Sequence, residues 1–150
     1  MDRIASFDVD HTRLEPGIYI SRCDGDITTY DLRFVKPNSG VFLENNAVHT
    51  IEHLFATYVR NSSYKDNVIY FGPMGCLTGF YFLVRNLDCS SVIALIKDAI
   101  LFISDFTDII PGCSATECGN YVMHDLEGAK TAVFSYYSII RDWNVDRLKY

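Results

Sequence analysis

The segment VHTIEHLFATYVR, residues 48–60, carries His49, Glu52 and His53 close together. On a helix, residues four apart project from one face, one turn from each other. His49 and His53 can therefore share a metal ion. Glu52 stands one position off that stripe, near enough to reach a bound water or substrate without being drawn into ligation. The order H-x-x-E-H is the inverted form of the zinc-peptidase motif. Two histidines and a glutamate on the polar edge of an amphipathic helix would give the same letters with no metal at all. A catalytic centre of this kind needs a third protein ligand and an open position. Cys118, in ATECGNYVMHDLEGAK, would complete a His2Cys set suited to a soft or borderline divalent ion. Glu127, in the same stretch, would complete the His2Glu set of an inverted-motif peptidase. Spacing alone does not choose between them.

A second concentration of reactive groups is GPMGCLTGFY. Cys76 follows two glycines and a proline and precedes a strand-like run, so backbone can approach a ligand there and the thiol stands at a strand end. Near a cation its thiolate would be stabilised and could act as base or nucleophile. The plainer alternative is a turn with a packed cysteine. Cys23 and Cys89 have no supporting neighbours and read as structural. Cys113 and Cys118 share a loop, but a redox pair is the weaker reading for a reduced compartment.

These groups need elements to position them. YISRCDGDITTYDLRF gives two extended runs, with Asp24-Gly25 as a hairpin signal. NVIYFGPMGCLTGFYFLVRN gives two more, interrupted at Gly72, Pro73 and Gly75, and Phe80 to Val84 suits a core strand. Val48, Ile51, Phe55 and Tyr58 recur at helical spacing. A second helix is predicted from about Ser91 to Phe102, capped by Ser90 or Ser91. A third opens near Asp125. TDIIPGCSATECGNY between them reads as a loop. The pattern is α+β: an antiparallel sheet with helices packed on one face, a two-layer sandwich. Residues 1–150 are expected to form a single domain with a real core.

Composition narrows the partners. Apolar residues make up 49% of the chain, with ten Phe and ten Tyr, which argues for a folded globule. A net charge of −6 leaves no basic footprint for nucleic acid or an anionic membrane. MDRIASFDVDHTRLEPG contains charges and no apolar core of a secretory signal. VIALIKDAILFI is broken by Lys97 and Asp98 and is too short to span a bilayer. A cytoplasmic location is expected, with the five cysteines reduced; their odd number also speaks against a disulfide framework.

In order, SFDVDHTRL, DLRFVKPN, HTIEHLFATYVR, PMGCLTGFY and CGNYVMHDLEGAK resemble the S-ribosylhomocysteinase family, the enzymes that make the autoinducer-2 precursor. The resemblance runs nearly end to end. It implies His49, His53 and Cys118 as metal ligands, so Cys118 is preferred to Glu127. It implies one divalent ion per subunit, Fe2+ in the native state, with Zn2+ or Co2+ able to occupy the site. It implies Glu52 and Cys76, either side of the metal, as paired proton carriers, and Ser6, His11 and Arg33 as substrate-binding residues contributed by the partner subunit of a homodimer. Arg33 has its own rationale as a fixed cation in a strand, against the alternative of an arginine merely pairing with Asp31. The reaction implied is cleavage of S-ribosylhomocysteine to homocysteine. One departure stands out: some family members carry D-x-S before P-M-G-C, where this chain has Tyr70, Phe71 and Gly72. A small metallopeptidase using Glu127, and a non-enzymatic binding module, are the competing readings.

Overall fold

A computed structural model describes residues 9–150; Ser6 lies outside the described residues. Strands β1 (Gly17–Asp24) and β2 (Ile27–Arg33) form one hairpin and β3 (Val68–Pro73) and β4 (Gly79–Arg85) a second. Together they make a four-stranded antiparallel sheet in the order β1-β2-β4-β3. Helix α1 (Asn45–Arg60) connects the hairpins, and α2 (Cys89–Asp105) and α3 (Leu126–Ile140) follow. This is the α+β arrangement the sequence implies. β3 is an edge strand, which is where a proline such as Pro73 is tolerated within a sheet.

Alternation along the strands gives the sheet two faces. Ile18, Tyr30, Leu32, Phe80, Phe82 and Val84 are buried on the helix side. Tyr30 stands opposite Phe82, and Leu32 opposite both Ile18 and Phe80. Phe55 of α1 stacks on Phe71 at 3.9 Å between centroids and meets Phe82 edge-on at 5.3 Å. Phe34 stacks on Tyr136 of α3, also at 3.9 Å. Phe55 is fully buried among these rings, so Phe55→Ala should destabilise the fold by about 3–5 kcal/mol. Urea unfolding checks this as a lowered midpoint with little change in slope.

The opposite face is partly covered by the chain after α3. Trp143 donates its indole N–H to the Ile18 carbonyl at 3.0 Å, and the Ile20 N–H donates to the Leu148 carbonyl at 2.8 Å. Tyr150 stacks on Tyr19 and donates its hydroxyl to Asp31 Oδ2 at 2.9 Å. Beneath it lies a buried ion pair between Asp31 and Arg33, with side chains only 1% and 3% exposed.

Several boundaries differ from the sequence expectation. The β1–β2 loop residues are Gly25 and Asp26, because Asp24 still pairs with Ile27. Helix α2 starts earlier than Ser91 and runs on to Asp105, and its cap is Asp88. The Asp88 carboxylate accepts both the backbone N–H and the hydroxyl of Ser91, at 2.9 and 2.6 Å; serine is the donor here. Helix α3 opens next to Asp125, as expected, and Asp125 is its cap, accepting from the Gly128 N–H at 2.9 Å. On α1 the buried stripe is Val48, Ile51, Leu54, Phe55 and Val59; Tyr58 is only part-buried at its edge.

Candidate metal centre

Burying that stripe of α1 against the sheet and α3 turns His49, Glu52 and His53 toward the long loop between α2 and α3. The loop returns Cys118 to them. Cys118 Sγ lies 3.4 Å from His49 Nε2 and 3.8 Å from His53 Nε2. Donors on one tetrahedral ion, with bonds of about 2.0–2.3 Å, stand about that far apart.

The ring orientations are fixed from behind. His49 Nδ1–H donates to the Met123 carbonyl at 2.8 Å and His53 Nδ1–H to the Pro111 carbonyl at 2.7 Å. A carbonyl can only accept, so in both rings the proton sits on Nδ1 and the Nε2 lone pair faces Cys118. Gly112, next to Pro111, has φ +73°, a conformation that turns the loop here and that glycine adopts freely. A Cβ on it would sit 3.3 Å from His53 Nδ1. Such outer hydrogen bonds orient metal-binding imidazoles.

His124 joins the group, a residue the sequence analysis did not single out. The ligand atoms of His49, His53, Cys118 and His124 lie within 4.8 Å of one another. His124 stacks on His49 with centroids 4.2 Å apart. Thr50 Oγ1 gives its one proton to the Asn46 carbonyl and so accepts from His124 Nδ1 at 3.2 Å. That leaves His124 Nε2 as a lone-pair nitrogen, buried and without a hydrogen-bond partner among the described residues. Burial, then the neighbouring His49 and His53, push His124 below the usual imidazole range. Three inward-facing nitrogens beside a sulfur, one of the nitrogens orphaned, fit a soft or borderline divalent cation. The signal available in the sequence was weak: a histidine six residues after Cys118, just before the cap of α3.

Glu52 lines an open cavity of about 490 Å³ with His49, His53, Cys118, Phe71 and Glu117. Glu127, the alternative ligand, is exposed in the first turn of α3 and is not part of the cluster. That removes the donor set on which the peptidase reading depends. All five cysteines are free thiols, Cys113 among them.

The other predicted site residues gather elsewhere. Cys76 is exposed in the turn between β3 and β4. The turn is fixed by Met74 N–H to the Gly79 carbonyl and Leu43 N–H to the Leu77 carbonyl, both 2.9 Å. Cys76 Sγ is 3.0 Å from Thr78 Oγ1 and 4.0 Å from Arg33 Nη1. Arg33 does pair with Asp31, but the pair is buried rather than on the surface. Its side chain alternates with Leu32 and so faces away from the helices. His11 lines a narrow cleft on that face with Ser21, Asp31, Arg33, Tyr81 and Tyr150. Cys76 does not line the cavity that holds Glu52. One chain thus carries two separate groups, the His/Cys cluster with Glu52 and Arg33 with Cys76 and His11.

Tyr70 and Gly72 occupy the departure before P-M-G-C. The Tyr70 phenol lies over residue 72, where a Cβ would meet its ring and hydroxyl. Tyr70 is half-exposed, so a side chain at residue 72 would require only that the phenol swing aside.

The S-Ribosylhomocysteinase (LuxS) family model matches residues 4–146. The chain is 44% identical to the S-ribosylhomocysteine lyase of Borreliella afzelii, covering 100% of this chain and 99% of the relative. It is 43% identical to that of Desulfotalea psychrophila, covering 95% and 93%. It is 41% identical to that of Clostridium acetobutylicum, covering 100% and 99%. With matches of this extent the chain belongs to the S-ribosylhomocysteinase family.

Proposed function

We propose that this chain is a carbon–sulfur lyase that cleaves S-ribosyl-L-homocysteine to L-homocysteine and 4,5-dihydroxy-2,3-pentanedione. The observation that carries the assignment is the convergence of His49 Nε2, His53 Nε2 and Cys118 Sγ on one point beside Glu52. We read residues 1–150 as one domain, acting in the cytoplasm on a small-molecule substrate.

The substrate is a ribose whose C5 bears the homocysteine sulfur. The C–S bond breaks by β-elimination only once a carbonyl stands at C3, because that acidifies C4–H and lets the thiolate leave. The carbonyl begins at C1 and must move to C2 and then C3. Each move takes a proton from one carbon and returns one to its neighbour. A divalent ion held by His49, His53 and Cys118, Fe2+ foremost and Zn2+ or Co2+ as substitutes, would supply Lewis acidity toward the sugar oxygens. Two side chains carry the protons. We assign Cys76 to the transfers at C1 and C2 and Glu52 to the later ones. Arg33 and His11, together with Ser6, bind the substrate's polar groups, Arg33 as a fixed cation.

Cys76 and Glu52 must face the same sugar. Within one chain Cys76 groups with Arg33 and does not line Glu52's cavity, which supports an active site that takes its cluster and Glu52 from one copy and its Cys76, Arg33 and His11 from a second. A homodimer with two symmetric sites meets that requirement. Incubating metallated protein with S-ribosylhomocysteine and a thiol reagent should give prompt free homocysteine. No release from fully metallated protein would sink the lyase assignment.

A further inference from the structure

We propose that Thr78 is a positioning residue for Cys76, its hydroxyl linking the Arg33 guanidinium to the Cys76 sulfur. The inference deepens the assignment of Cys76 as a proton carrier and rests on it. Thr78 is buried at 3% exposure. Its Oγ1 lies 2.6 Å from Arg33 Nη1 and 3.0 Å from Cys76 Sγ. A guanidinium has donors only, so Thr78 Oγ1 accepts from Arg33. The single hydroxyl proton is then left for another acceptor, and Cys76 Sγ is the acceptor within reach. Arg33 itself is 4.0 Å from that sulfur, so the hydroxyl is the closer contact.

The rest of the chain of bonds is rigid. Asp31 grips Arg33 through two contacts, Nη2 to Oδ2 at 2.5 Å and Nε to Oδ1 at 3.2 Å. Tyr150 holds Asp31 in turn. The Thr78 carbonyl accepts from the Phe34 and Val35 N–H groups at 3.0 and 3.1 Å, which fixes its backbone independently of the hydroxyl. An O–H whose oxygen is polarised by a cation donates more strongly. Aimed at sulfur, it stabilises the sulfur whenever it carries negative charge and holds it in one orientation.

The variants Thr78→Val and Thr78→Ser separate the hydroxyl from the packing. Valine keeps the branched shape and the stiff χ1 but has no hydroxyl; serine keeps the hydroxyl and loses the methyl. Each protein is alkylated with iodoacetamide at fixed neutral pH. The rate at Cys76 is read by peptide mass, with exposed Cys23 as internal reference. Cys76 of Thr78→Val should react about tenfold more slowly than wild type, and Thr78→Ser should stay within about twofold of it. Wild-type reactivity in Thr78→Val overturns the proposal, and so does Thr78→Ser reacting as slowly as Thr78→Val. If valine prevents folding, Thr78→Ala removes the hydroxyl without adding bulk and is read the same way. The alkylation needs no turnover, so a failed homocysteine assay and a failed Thr78 result are told apart.

Discussion

His53→Ala is expected to lose both its metal and its homocysteine release. The side chain supplies one of the donors gathered within 4.8 Å of one another in the cluster, and water replaces an imidazole poorly at such a site. Removing even an outer hydrogen bond to a metal ligand costs about 10–100-fold in affinity; removing the ligand itself should exceed that range. Metal content after dialysis, with homocysteine release on the same sample, checks both halves. The fold should survive, because His53 is only part-buried and is not among the buried residues that pack α1 on the sheet. Its loss also leaves the Pro111 carbonyl without its donor, which should loosen the loop locally without unfolding the core. Unchanged far-UV circular dichroism with metal at background is the expected combination. A variant that keeps its full metal complement would remove His53 from the ligand set and, with it, the basis of the proposed chemistry.

What could be read from the sequence follows from which interactions are local. The i, i+4 relation of His49 and His53 needs only a helix, and the apolar spacing from Val48 onward supplies one. Asp125 is a cap followed directly by its helix, so it too was legible. Cys118 was one of two open candidates until the resemblance favoured it; the geometry then excluded Glu127. His124 was missed because its neighbours in the chain, Cys118 six residues before and the α3 cap just after, mark it only weakly. Its place depends on Thr50 of α1, which is 74 residues away in the chain. The burial of Arg33 was equally hidden. A strand arginine two residues from an aspartate can pair with it at the surface, and it is the return of the chain end, with Tyr150 bonded to Asp31, that helps cover the pair here. The same non-locality hid the separation of Cys76 from Glu52. Both lie next to recognisable motifs, yet Glu52 is on α1 and Cys76 in the β3–β4 turn, and where these two elements lie relative to each other depends on tertiary packing that spacing does not encode.

Cys76→Ala should behave in the opposite sense to His53→Ala, keeping its metal while losing turnover by about a thousandfold, the scale of one proton carrier in general acid–base catalysis. Cys76 contacts Thr78 and Arg33 and does not line the cluster's cavity, so nothing about the donors changes when its sulfur is removed. Metal analysis and homocysteine release on one preparation test this directly; a Cys76→Ala protein that is folded but metal-free would overturn the division of labour. The two variants together also test the two-copy site. In a mixed dimer of His53→Ala with Cys76→Ala, one site receives both defects. The other pairs the intact cluster of one copy with the intact Cys76 of its partner. If subunits exchange freely, half the dimers are mixed and each has one working site of two, so two inactive proteins should recover about a quarter of wild-type activity. If Cys76 served the cluster of its own chain, every site in the mixture would carry a defect and no activity would return. Recovery on mixing therefore separates a site shared between copies from one built within a single chain.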